Sequence, residues 1–174
     1  CLQALSKTHG FALTKVPTYN LHQEVRVSST LIRQKIEEGH FDEAAQYLGR
    51  PYSISGRVHH GDENGRKFGF STMNLPLKYE YEMQVSGVYI VQLAWKGQLY
   101  WGVANVGIRP TLGGMKRLLE VHLFKFDEWM YGEHIEVVFL KFIRKEKKFS
   151  NFPALVQQIK EDVLWAKKWL EEQA

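Results

Sequence analysis

Cysteine is all but absent. The only one, Cys1, leaves no partner for a disulfide within the chain and excludes a cysteine cluster as a metal site. That usage fits a reducing compartment, and a cytoplasmic location is expected. Long apolar runs are missing too: none approaches the ~20 residues that span a bilayer, so no membrane helix is expected. Residues 1–15 mix Lys and His with apolar residues and do not read as a secretory signal. There is no initiator methionine, and a chain that opens at Cys1 is expected to be a fragment, a processed chain or a trimmed one. Internal repeats and low-complexity linkers are also lacking. Charge is not gathered in one place: the net value is +4, and the basic residues are dispersed except over 141–148, where Glu146 interrupts them. Such a balance suits an anionic small molecule and does not single out nucleic acid.

What is present is ordinary globular composition with a surplus of rings. Hydrophobic residues make up 44% of 174 positions, enough for one good core or one domain plus part of another. Aromatics at 13% suit a dense β core or a pocket for a flat ligand. The first fifty residues read as helical and connecting material, with at most a short strand over 11–16. Ser28-Ser29 offers a hydroxyl cap to a helix over 30–38 that Gly39 closes, and a second helix over 42–48 stops at Gly49 before Pro51. From Ser53 the period changes to alternation, and strands are expected at Gly87–Trp95, 98–106, 118–126 and 135–143, with turns at Lys96-Gly97, Gly113-Gly114 and Tyr131-Gly132. Five or six short strands with no helices between them imply an antiparallel barrel or sandwich. Ser150 or Asn151 caps a last helix whose stripe Phe152, Leu155, Ile159, Val163, Ala166, Leu170 docks it on the sheet. The periodicity switches at residues 49–52, the expected domain boundary.

The run Gly65-Arg66-Lys67-Phe68-Gly69-Phe70-Ser71-Thr72-Met73-Asn74 collects what phosphate chemistry uses. Its glycines admit an anion to the backbone, its basic pair adds charge, and Thr72 and Asn74, two apart in an extended segment, offer two oxygens to one hard cation such as Mg²⁺. A glycine-rich hairpin with solvated charges is the plainer reading of the same residues. Glu120 is the carboxylate singled out as a general base. Leu119, Val121 and Leu123 make one face of its strand, and Glu120 shares the other with His122 and Phe124. It reads equally as a solvent-facing strand residue, and His122 reads more simply as a structural histidine than as its orienting partner. His59-His60 is discounted as a metal pair, since adjacent strand residues point to opposite faces. Asn105, Gly107, Arg109, Pro110 and Thr111 read as the loop ending a strand, and Arg144 opens a charged run to Phe149 that reads as a solvated connection.

Taken in order, Gly-Phe-Ser-Thr-Met-Asn, Val-Ala-Asn-Val-Gly-Ile-Arg-Pro-Thr, Leu-Glu-Val-His-Leu-Phe and Phe-Ile-Arg-Lys-Glu-Lys-Lys-Phe resemble the riboflavin kinase module of the bacterial bifunctional riboflavin kinase/FMN adenylyltransferases (FAD synthetases). The likeness covers about residues 53–174. Upstream, Val27-Ser28-Ser29-Thr30-Leu31-Ile32-Arg33 resembles a Ser-Ser-Thr-x-Ile-Arg motif near the end of the adenylyltransferase domain, so the resemblance implies a remnant of that domain over 1–50 and a kinase domain over 51–174. It implies a mainly β fold, a six-stranded antiparallel Greek-key barrel with a C-terminal helix. ATP and riboflavin are the implied substrates, ADP and FMN the products and Mg²⁺ the metal, with neither nucleic acid nor membrane as a partner.

Residue by residue, the resemblance implies that Thr72 and Asn74 hold Mg²⁺ and the phosphates and that Glu120 activates the 5′-hydroxyl of riboflavin. It places Gly56, Gly61, Gly65, Arg66, Lys67 and Gly69 in the nucleotide loop region, and Asn105, Arg109 and Arg144 beside the flavin. Two departures stand out. Ser71 and Met73 replace the proline and alanine of the family's Pro-Thr-Ala-Asn, with both ligand-bearing side chains kept. No His-x-Gly-His motif occurs, so this stretch is not expected to make FAD by itself. Competing readings are a flavin- or nucleotide-binding barrel without catalysis, and, more weakly, a basic RNA-binding barrel. The latter needs aromatics interleaved with exposed basic residues on one sheet face, which the strands do not show.

Overall fold

The computed structural model describes residues 2–17, 19–21, 25–59, 72–77, 85–111 and 114–173. Helix α1 (Leu2–His9) buries none of its residues, and a two-residue hairpin, β1 (Asn20–Leu21) with β2 (Val25–Arg26), follows it. The strand expected over 11–16 does not form. Residues 11–17 are irregular and exposed throughout, so no partner strand repays the cost of extending them.

Two helices then form where the capping residues place them. Ser28 is the N-cap of α2 (Ser29–Glu37), its Oγ accepting a hydrogen bond from the Leu31 N–H at 3.2 Å. α3 (Phe41–Leu48) ends at Gly49, whose φ of 73° is the left-handed conformation that glycine adopts without strain. A 2.8 Å ion pair from Lys35 to Glu43 ties the two helices, and the hydrogen bond that the Lys35 ammonium donates to Glu43 raises the Lys35 pKa.

Six strands make one antiparallel sheet in the order β3 (Ser53–Arg57), β8 (His134–Arg144), β5 (Gly87–Trp95), β6 (Gln98–Thr111), β7 (Gly114–Leu123), β4 (Met73–Leu77). The two outer strands nearly close it into a barrel, because the chain just past β3 bridges to β4: His59 N–H donates to the Asn74 carbonyl at 2.8 Å. Alternation sorts the side chains, with Leu75, Leu119, Val121, Ala104, Val106, Val91 and Val137 filling the interior. Phe41 and Ala44 of α3 and Ile36 of α2 belong to the same buried cluster, so core packing runs across the sequence boundary at 49–52. Within it, burial pushes the Tyr89 phenol up to about 12 while its hydroxyl donates to the Ser86 carbonyl at 3.0 Å.

A second, outer cluster holds the last helix. Ile90 and Val103 on the outer side of β5 and β6 meet Val163, Ala166, Trp169 and Leu170 of α4 (Phe152–Glu172). Leu140 and Ile143 join them at the two register shifts between β8 and β5, as bulges re-aim strand residues. Asn151 is the N-cap, its Oδ1 accepting from the Ala154 N–H at 2.9 Å.

Three strand boundaries differ from expectation, one of them the start of β7 at Gly114 and not at 118. β7 stops at Leu123, since Lys125 takes a φ of 52° and turns the chain. β6 runs on through the stretch read as a loop. Its ladder with β5 ends at Val106, opposite Gly87, and residues 107–111 continue paired with β7 alone among the described residues. Pro110 is tolerated there because a one-partner arm has no second ladder for its missing N–H to break.

Candidate active site

The register lines up side chains far apart in sequence. Asn74 on β4 stands opposite Glu120 on β7, Glu120 opposite Asn105 on β6, Asn105 opposite Val88 on β5, and Val88 opposite Arg144 on β8. Cross-strand partners carry their Cβ atoms about 5 Å apart on the same face. The flanking residues Met73, Leu75, Leu119, Val121, Ala104 and Val106 all fill the interior, so this row lies on the outer face, the one that α4 packs against. The pattern around Glu120 made the face legible in advance, whereas its neighbours across the sheet were not.

Asn74 is the unusual member. It is 4% exposed, and its Oδ1 has no hydrogen-bond donor among the described residues. A buried oxygen left unpaired costs about 1–3 kcal/mol, which a ligand that needs an oxygen donor would offset. An amide oxygen is a hard donor of the kind Mg²⁺ takes, and Thr72, half-buried directly ahead of β4, supplies a hydroxyl two residues away. These two residues therefore fit the metal that the sequence implies.

A groove of about 560 Å³ opens beside the end of β7, lined by residues of both sheet faces and by none of Asn74, Glu120 or Asn105. His122 and Phe124, the next residues on the Glu120 face, line it together with Trp129 and Tyr131 of the following loop, Val163 and Lys167 of α4, and Met73 between the two oxygen-bearing residues. The Lys167 ammonium stands 5.4 Å from the centre of the Phe124 ring. Rings flanked by cations make a surface for a flat, anionic ligand.

At the far end of the row Arg144 is engaged by the helix. Its Nε donates to Asp162 Oδ1 at 2.9 Å, its Nη2 donates to Oδ2 at 2.8 Å, and Gln158 Nε2 donates to the same carboxylate at 3.2 Å. Its Nη1 donates to the Lys145 carbonyl at 3.1 Å. Sequence reasoning missed Asp162: it is 4% exposed in the middle of an amphipathic helix, and a single acid among apolar stripe residues gives no periodic signal. Removing one partner of such a pair strands a desolvated charge, so Asp162→Ala should cost about 3 kcal/mol in urea unfolding. The loss of α4 from the sheet should accompany it as faster amide exchange in Ile90 and Val103.

The other residues singled out from the sequence are placed as follows. Gly56 faces the interior, where a Cβ would stand 3.4 Å from Leu75 Cδ2, and is not on the row's face. Arg109 lies on the arm of β6 opposite Lys116, and its side chain is outside the described residues. Gly61, Gly65, Arg66, Lys67 and Gly69 lie outside the described residues, as do His60 and Ser71.

The profile of one family, Flavokinase (riboflavin kinase), matches residues 48–170. This chain belongs to the riboflavin kinase family. It is 42% identical to the bifunctional riboflavin kinase/FMN adenylyltransferase of Escherichia coli (strain K12) over 97% of its own length and 53% of that protein. To the enzyme of the same name from Haemophilus influenzae it is 44% identical, over 95% of its length and 54% of that protein. The chain thus spans about half the length of the curated relatives it matches. Among solved structures, a protein described as a macrolide-efflux protein from Streptococcus pneumoniae is 38% identical, with a TM-score of 0.70 over 84% of this chain and 48% of that one. Efflux belongs to that description alone, and no described helix here is long and apolar enough to cross a membrane. The riboflavin kinase domain is a mainly β, six-stranded antiparallel barrel that is nearly closed and carries a C-terminal helix, as the sequence implied.

Proposed function

We propose that this domain transfers the γ-phosphoryl group of ATP to the 5′-hydroxyl of riboflavin, giving FMN and ADP. The observation that carries the proposal is the in-register row Asn74–Glu120–Asn105, which sets a carboxylate beside an unpaired buried amide oxygen on the family's own motifs. Phosphoryl transfer asks little covalent chemistry of a protein and much positioning. Thr72 and Asn74 would hold Mg²⁺, which supplies neutralisation of the charge on the transferring group. The groove beside Met73 takes the nucleotide, its rings against the base and Lys125 and Lys167 near the phosphates. The flavin lies on the opposite side of Glu120, toward Asn105, the β6 arm with Arg109, and Arg144. Glu120 then stands between donor and acceptor, accepting the proton of the attacking hydroxyl.

Incubation with riboflavin, ATP and MgCl₂ should yield FMN and ADP in equal amounts by chromatography, and EDTA should abolish both. A folded sample that binds flavin yet forms no ADP would overturn the proposal in favour of a binding module. For the longer protein we infer a second activity, FMN adenylylation to FAD, in a domain whose end is formed by residues 1–50, with residues 51–174 as the kinase and the cytoplasm as the place of work. The names of the curated relatives support the second activity.

A further inference from the structure

Gly107 lies on the outer face two residues beyond Asn105, on the side of Glu120 where the flavin is proposed. Its backbone is not in the left-handed region, so glycine is not needed there for its conformation. It is needed for space. A Cβ at this position would overlap the carboxylate of Glu146 and stand 3.2 Å from Asn105 Nδ2. The missing side chain thus leaves a notch that the Glu146 carboxylate enters from the 145–149 segment, beside the amide donor Asn105 of the row. Glu146 is solvent-exposed, and among the described residues no hydrogen bond joins its carboxylate to Asn105. An acceptor and a donor that share a notch and do not bond each other are complementary to an alcohol, which donates one hydrogen bond and accepts another.

We propose that the Gly107 notch is a polyol subsite, in which Glu146 accepts from, and Asn105 donates to, a secondary hydroxyl of the chain whose terminal hydroxyl meets Glu120. This rests on the riboflavin reading of the site and assigns Glu146 a role in specificity. Hydrogen bonds to a charged acceptor are worth enough that losing one should weaken binding roughly tenfold. The two flavins to compare are riboflavin and a 10-(5-hydroxypentyl)isoalloxazine analogue, which keeps the terminal hydroxyl and lacks the three secondary ones. Binding is read by flavin fluorescence quenching, with no turnover required. The unaltered protein should prefer riboflavin by roughly tenfold or more. Glu146→Ala should erase most of that preference by weakening riboflavin alone. Gly107→Ala should do the same by pushing the carboxylate aside, and the double variant should be no worse than either single one. The displaced atoms end a flexible side chain, so the melting temperature of Gly107→Ala should hold. Equal affinity of the unaltered protein for the two flavins, a preference that survives in Glu146→Ala, or additive losses in the double variant would each overturn the subsite. A protein that discriminates between the flavins as expected but makes no FMN would overturn the kinase proposal and leave the subsite standing.

Discussion

Exchanging Glu120 for glutamine should lower the rate of riboflavin phosphorylation by about 10²–10⁴-fold, the usual worth of a positioned general base. Glutamine keeps the size of the side chain and a hydrogen-bonding oxygen, and removes only the capacity to take the proton. The neighbours on either side, Asn74 and Asn105, stay in register because strand pairing is carried by the backbone. The interior residues Leu119 and Val121 that fix the strand's orientation are untouched as well. The loss should therefore fall on kcat, with riboflavin and nucleotide affinities changed less than about threefold, the pattern of an interaction made in the transition state and not before. Steady-state kinetics with separate measurement of flavin binding decide the matter. Near-normal turnover with both substrates bound would remove Glu120 from the role of base, and a large rise in both KM values would mean that the carboxylate organises the site.

How much of this arrangement is legible before folding depends on whether a signal is local. The alternation around Glu120 fixes which face it occupies, because a single strand with Leu119, Val121 and Leu123 has only one sensible side to bury. Gly39 and Gly49 end helices by conformations that few other residues adopt, and both ends fall where expected. What stays hidden is pairing. Nothing near Asn74 announces Glu120, forty-six positions away, and nothing near Arg144 announces Asp162 on the far side of a helix cap. The arm of β6 is hidden for a related reason. Gly107 and Pro110 are breakers by local propensity, yet the partner strand β7 continues and holds them extended. Gly107 has its own explanation in the Glu146 carboxylate, which no local rule contains.

The same distinction governs the largest expected stability effect, at Phe41. By position it belongs to the helical segment before the barrel. By contact it belongs to the barrel's core: 4% exposed, with its ring centre 5.7 Å from those of Tyr89 and Phe139 and 6.0 Å from that of Tyr52. Cutting a buried phenylalanine back to alanine removes its apolar surface and leaves a cavity that a ring cluster cannot close, a cost of about 3–5 kcal/mol. For a chain of this size the midpoint of thermal unfolding should fall by about 10 °C. Phe11→Ala, at a ring 44% exposed, is the control and should change stability by less than about 0.5 kcal/mol. The loss at Phe41 should also reach the site. The α2–α3 connection sits directly on β8, where a Cβ at Gly39 would stand 2.7 Å from Phe142 Cβ, two residues before Arg144. Loosening the helix pair frees the strand end that anchors α4 through Asp162. Amide exchange along β8 should therefore accelerate in Phe41→Ala at temperatures well below its melting point, with the residues around Phe142 leading. If β8 exchanged only with global unfolding, the helix pair would stabilise the barrel without bracing its Arg144 end.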